Sequence, residues 1–156
     1  MYWYLTVLKK YTDFSGRASR KEFWMFYLFN AIFGTVAMFF DNILGIAIES
    51  VGFGPIWGLY HIAILIPQLA VSVRRLHDVG MSGWYLLIIL IPVILIFIEK
   101  LIVGAMGANQ HVVNALSSLV IVFLLVVLSK DGTPGENKYG EDPKKRAKEI
   151  KSTQSL

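Results

Sequence analysis

The stretch FWMFYLFNAIFGTVAMFF, residues 23–40, runs for 18 positions between Glu22 and Asp41 without a charged side chain. As a helix it would extend about 27 Å at 1.5 Å per residue, close to the hydrocarbon thickness of a bilayer. It predicts a membrane-spanning helix. Ser19 stands before it with Glu22 three residues on, the spacing of a capping box, in which each side chain bonds an orphan amide of the first turn. The helix is therefore expected to start at Ser19, over about 20–40, with Arg20, Lys21 and Glu22 at the interface.

Three more apolar runs follow. No charge occurs from Ser50 to Val73, and a span is placed from Ile56, closed by Arg74 and Arg75, over about 56–76. Pro67 lies inside it, which a membrane helix tolerates when neighbours satisfy the freed carbonyl. A third span is expected at about 84–103, from Trp84, with Glu99 and Lys100 snorkelling at an interface. The fourth, about 112–128, is rich in Val and Leu. Gly104, Gly107, Asn109, Gln110 and His111 between them read as a short polar turn. Residues 1–143 thus form one four-span domain, and 144–156 a basic, mobile tail near anionic lipid. No internal repeat is found.

Composition agrees with this class. Hydrophobic residues make up 55% of the 156 and charged residues 17%, too few charges to cover a soluble domain of this size. The chain has no cysteine, so disulfides, thiolate metal sites and cysteine nucleophiles are excluded. Met1 to Leu8 lacks a basic leader and the first long apolar run begins only at Phe23, so no cleavable signal is expected. The net charge of +4 suggests nucleic acid only until the basic residues are placed. Five lie before the first span, two beside the second and seven after the fourth. A four-span arrangement puts 14 of the 15 on one side and leaves Lys100 on the other, beside Asp41, Glu49 and Glu99. This is the positive-inside pattern, and it places both termini in the cytoplasm. Tyr4, Val7, Leu8 and Tyr11 share a helical face near Trp3, which predicts a short interfacial helix along the cytoplasmic leaflet.

Three polar segments then meet the membrane on the same side. They are Phe14 to Trp24, Arg74 to Trp84 and Gly132 to Pro143. Gly80 suits a left-handed helix end and Ser82 a new N-cap, so the middle segment is a tight turn. Pro134-Gly135 fits the centre of a type II turn. The motifs Gly16-Arg17-Ala18-Ser19-Arg20 with Glu22-Phe23-Trp24, Arg74-Arg75-Leu76-His77-Asp78 with Ser82-Gly83-Trp84, and Pro134-Gly135-Glu136-Asn137 with Tyr139-Gly140 resemble the YhaH-like bacterial inner-membrane proteins, domain of unknown function family 805. The resemblance covers nearly the whole chain. It implies the bacterial inner membrane and carries no established activity. The stretch from about Glu99 to Asn114 looks longer than in many members.

What the cluster does chemically is open to two accounts. Arg17, Arg20, Arg74 and Arg75 suit bidentate binding of a phosphate or carboxylate from an anionic headgroup or acidic partner. The plainer account pairs them with Glu22, Asp78, Glu136 and Asp142 to fasten the three segments together, with Asn137 and Tyr139 in the same cap; it is preferred, because structural ion-pair networks are common. His77 beside Asp78 lacks further converging histidines, since His61 falls within a span and His111 across the membrane. Ser82 lacks the spacing of a nucleophile elbow, and no phosphate-loop or dinucleotide fingerprint occurs. Within the spans the polar groups are few, among them Asn30, Thr35, His61, Gln68, Ser72, Ser117 and Ser118, without a carboxylate to carry coupled transport.

The expectation is an all-α membrane protein with four transmembrane helices, a short N-terminal interfacial helix and a structured cytoplasmic cap. It is a multi-pass protein of the bacterial inner membrane that serves as a binding, scaffolding or assembly component and not as an enzyme. The alternative is a small oligomeric transporter or channel component, and the third reading a lipid-headgroup-modifying enzyme. No cofactor or metal is expected. The expected partners are anionic headgroups of membrane lipids, with a membrane protein or a second copy possible and nucleic acid excluded.

Overall fold

The computed structural model describes residues 2–48, 53–89 and 110–145. The described residues form four α-helices: α1 (Tyr2–Lys9), α2 (Arg20–Ile43), α3 (Pro55–Asp78) and α4 (Gln110–Ser129). A 3-10 helix occupies Gly83–Ile89. The described residues contain no strand, only two isolated bridges, Ile48 with Phe53 and Asn137 with Gly140.

Local chemistry sets each boundary. Ser19 is extended (φ −68°, ψ 158°), and its hydroxyl accepts from the Glu22 amide at 3.2 Å, so α2 starts where the sequence places it. Pro55 occupies the first turn of α3, where its missing N–H costs nothing. The residue before it, Gly54, has no side chain with which to cap the helix. Asp41, at the far end of α2, does so instead. Its carboxylate accepts from the amides of Gly54 (3.0 Å), Ile56 (3.0 Å) and Trp57 (2.9 Å). A Cβ on Gly54 would lie 2.8 Å from the Ile46 carbonyl oxygen and 2.9 Å from Asp41 Cγ, so only glycine fits there.

At its other end α3 runs on through Asp78, so Arg74 to Asp78, expected at and beyond a span end, form its last turn. Gly80 (φ +81°) donates to the His77 carbonyl at 3.0 Å and Met81 to the Leu76 carbonyl at 2.9 Å. This bond pair is a Schellman motif, with Gly80 in the left-handed position that a side chain would strain.

α2 and α3 form an antiparallel pair. Tyr27 Oη lies 3.1 Å from Ser72 Oγ, Tyr60 donates to Asn30 Oδ1 at 2.6 Å, and Gly34 faces the His61 ring. Each helix has 24 residues, about 36 Å, and is long and apolar enough to cross a membrane. Only 28% of the apolar window of each is buried. The remainder presents side chains such as Leu28, Ile32, Val36, Leu59 and Ile62 outward, unlike the buried helix of a soluble core.

α1 is a short N-terminal helix, as expected. Its apolar face packs on protein: Val7 is fully buried, and the Tyr4 ring stacks on Phe26 at 5.4 Å and leans on Phe29 and Phe33. The helix ends at Lys9, and Tyr11 is exposed. Tyr4, Val7, Ala18, Phe23, Phe26, Val71, Leu76, Val127 and Leu128 make one core beneath the polar cluster.

Trp84, expected to open an α-helical span, lies in the 3-10 helix. Ser82 sits at its start, its carbonyl accepting from Tyr85 N–H at 3.1 Å and its hydroxyl from Trp84 N–H at 3.4 Å. Gly132 and Gly83 are both held against neighbours, and at Gly83 a Cβ would come within 2.8 Å of Val73. Gln110 and His111, read as part of a turn, begin α4. The rest of the third span, the turn at 104–109, most of the stretch from Glu99 and the tail beyond residue 145 lie outside the described residues.

Candidate functional site

Asp78, the last residue of α3, is the centre of the polar cluster, with its side chain only 5% exposed. Its Oδ1 accepts from Arg17 Nε at 2.9 Å, and its Oδ2 pairs with Arg75 Nη1. Both oxygens of one buried carboxylate are thus taken by guanidinium groups. The main chain of Asp78 is engaged as well, its carbonyl accepting from Thr133 N–H (2.8 Å) and Thr133 Oγ1 (3.1 Å). Gly132 has to be glycine here, since a Cβ would sit 2.1 Å from Asp78 Oδ2.

Each arginine ties a different segment to this point. Arg17 reaches into the turn at Pro134-Gly135, where Nη1 donates to the carbonyls of Gly135 (2.5 Å) and Gly140 (3.3 Å), and Nη2 to Thr133 (2.5 Å). Gly135 has φ +72°, the value a type II turn needs at its third residue. Arg75 turns the other way, to the end of α4, donating from Nε to Leu128 O at 2.9 Å and from Nη2 to Lys130 O. Arg20 joins it there, with Nη1 on Ser129 O at 3.2 Å. Two cations on the orphan carbonyls of a helix C-terminus also complement its dipole. Arg74 faces the segment that joins α1 to α2. Its Nη1 donates to Lys10 O (3.1 Å) and Asp13 O, its Nη2 lies 3.4 Å from Glu22 Oε1, and its carbonyl accepts from Ala18 N–H at 3.0 Å.

The aromatic part of the cluster is a stack. Tyr139 lies flat on His77, with centroids 3.8 Å apart and planes 3° from parallel, and Lys138 Nζ stands 4.9 Å from the Tyr139 centroid. Asn137 clamps this arrangement: its Nδ2 donates to His77 O (3.0 Å) and Thr133 Oγ1 (2.8 Å), while its Oδ1 accepts from Tyr139 N–H (2.9 Å). His77 Nδ1 lies 3.1 Å from Gly16 O. A carbonyl only accepts, so Nδ1 carries the hydrogen.

Comparison with known proteins follows the same segments. The family model described as "Protein of unknown function (DUF805)" matches residues 11–141, which include the first two polar segments, the third as far as Glu141, and α2 to α4. This chain belongs to the DUF805 family. It is 41% identical to the inner membrane protein YhaH of Escherichia coli strain K12 over 144 residues, 92% of this chain and 98% of that one. It is 40% identical to the inner membrane protein YhaI of the same strain over 144 residues, 92% and 97% of the two chains. It is 30% identical to the uncharacterized protein YiiR of that strain over 142 residues, 88% and 90%. No solved structure matches the chain.

In this DUF805 chain the residues singled out in the sequence divide into two groups. Arg17, Arg20, Glu22, Arg74, Arg75, His77, Asp78, Asn137 and Tyr139 converge. Glu136 and Asp142 do not join them. Glu136 is exposed, and Asp142 Oδ1 accepts instead from Lys144 N–H at 2.8 Å, starting a turn. The arginines they were to neutralise pair instead with Asp78, Glu22 and Asp131, and fill their remaining donors with backbone carbonyls. Sequence reasoning missed Thr133, Asp131 and those carbonyls. Asp131 pairs with Arg20 at 2.9 Å and Lys144 at 3.2 Å; the hydrogen bond from Lys144, then the charge of Arg20, hold its carboxyl below the usual carboxylate range. Only Gly132, a small residue between two polar stretches, hints at the close approach. Carbonyls leave no trace in sequence.

Chemically, the cluster is a fastening. Among the described residues no three His, Asp or Glu side chains gather to hold a metal ion. Arg74 Nε is buried without a hydrogen-bond partner, a cost of about 1–3 kcal/mol that the surrounding bonds offset.

Proposed function

We propose that the chain is a four-span protein of the bacterial inner membrane, with both termini in the cytoplasm, that works as a binding or scaffolding component and not as a catalyst. The observation that carries this reading is the engagement of Arg17, Arg74 and Arg75 with internal carboxylates and carbonyls. Such a cluster makes a stiff platform and leaves no guanidinium fork open for turnover chemistry. The basic residues on one side of four spans support the orientation, and the likeness to the inner membrane proteins YhaH and YhaI supports the membrane.

With the arginines engaged, the positive charge left on that face belongs to lysines. Lys9, Lys10, Lys21, Lys130, Lys138 and Lys145 are exposed. Each is worth about 1 kcal/mol beside an anionic leaflet. The platform therefore takes an anionic surface through lysines, and the arginines hold its shape. The test is amide hydrogen exchange over residues 132–145 in nanodiscs with and without phosphatidylglycerol. Exchange slows when the anionic lipid is present, and salt or the double variant Lys138→Gln, Lys145→Gln reverses the slowing. Equal exchange in both nanodiscs refutes the anionic-surface part of the reading.

A further inference from the structure

A groove of about 550 Å³ opens between α3 and the 3-10 helix, within the size range of small-ligand sites, roughly 300–1,000 Å³. One wall is a single face of α3, since Leu69, Val73 and His77 follow at intervals of four residues. The opposite wall is Leu86 and Leu87, and Phe14 and Trp84 complete it. Polarity changes along its length of about 12 Å. The His77 end adjoins the arginine cluster and includes Ser82. The Leu69 end lies two turns nearer the middle of a helix fit to cross a membrane, and it is wholly apolar.

We infer that this groove holds one acyl chain of a bilayer glycerophospholipid, with the ester and headgroup region at His77 and Ser82. The inference rests on the reading that α3 crosses the bilayer. A lipid in a leaflet has the same polarity order over the same distance, polar at the cap and apolar toward mid-helix. The polar end also offers complementary groups. With the hydrogen of His77 on Nδ1 and directed at Gly16 O, Nε2 is an acceptor in the neutral ring, suited to a headgroup hydroxyl or ammonium. Ser82 Oγ accepts from Trp84 N–H, so its own hydrogen is available to an ester or phosphate oxygen. Lys138 stands over the Tyr139 ring that covers His77, which places a cation one ring away from a phosphate. Trp84 is 78% exposed at this end, where an indole favours the headgroup level.

The experiment is mass spectrometry of the full chain purified in mild detergent, counting phospholipid retained after exhaustive detergent exchange. The unaltered chain retains phospholipid, and Leu69→Trp, which fills the apolar end, loses most of it. Ser82→Ala, which keeps the volume and removes one donor, weakens retention about threefold to tenfold, as expected for one hydrogen bond. Leu28→Phe, exposed on α2 and outside the groove, leaves retention unchanged. Circular dichroism reports whether each variant is folded; if Leu69→Trp is not, Ser82→Ala decides. Equal loss in Leu28→Phe, full retention in the folded groove variants, or a retained amphiphile that is not a phospholipid overturns the inference. A chain that is monodisperse without detergent overturns the membrane reading itself.

Discussion

Asp78 accepts from Arg17 and Arg75 in a site where all three side chains are at most 5% exposed. Charges this dry are stable only in company, because desolvation costs several kcal/mol for each ion. Asp78→Asn keeps the shape and removes the charge, leaving two buried guanidinium groups without their carboxylate. The variant should lose about 3–5 kcal/mol, read as a lower thermal midpoint in detergent. Because Arg17 also donates to three carbonyls, Arg17→Gln combined with Asp78→Asn should cost less than the two single losses added. Strict additivity would show that the pair does not act as a unit. Identity was legible here but role was not. Arginine and aspartate in a motif announce an ion pair, while the choice of Asp78 over Glu136 and Asp142 depends on Gly132 letting the third segment approach.

Helix α3 begins with a donor problem that its own sequence leaves unsolved, because Pro55 and Gly54 supply no capping side chain. Asp41 solves it from the end of α2, accepting three amides while fully buried. A cap drawn from a neighbouring helix also fixes how the two helices meet at that end. Asp41→Ala should therefore cost at least about 2 kcal/mol, an N-cap loss with orphaned buried amides added to it. Exchange at the amides of residues 54, 56 and 57 should rise more than exchange near the cluster, and Asp41→Asn should fall between the two. Uniform exchange changes along α3 would count against a local cap. The contrast with Ser19 shows what sequence can disclose. Ser19 caps its own helix three residues away, a spacing visible in the chain, whereas Asp41 acts across 13 to 16 residues and has no pattern to betray it. The apolar face of α1 is likewise visible in sequence, but Phe26, which packs on it, is not.

Across the molecule, apolar length and charge were readable because they are sums over many residues. Two helices of 24 residues match the first two runs, each extended at its cluster end by the turn that carries arginines. The convergence of segments some 60 and 120 residues apart came through as shared polarity at span ends, while its geometry waited on carbonyl positions. Orientation is the remaining step, and the chain suits a clean measurement because it has no native cysteine. Single cysteines at Ser15, Leu44 and Lys138 fall at exposed positions, before α2, after α2 and after α4. The charge distribution predicts that an impermeant maleimide added to intact spheroplasts labels only Leu44→Cys, and that permeabilisation is needed for the other two. Ser15 and Lys138 must share a side, because Arg17 bonds the carbonyls of Thr133, Gly135 and Gly140 in one structure. Their common labelling thus tests an even number of crossings between them, and Leu44 tests the direction. Labelling of Lys138→Cys in intact spheroplasts with Ser15→Cys protected would put the two segments on opposite faces, an outcome incompatible with four spans and with the cluster alike.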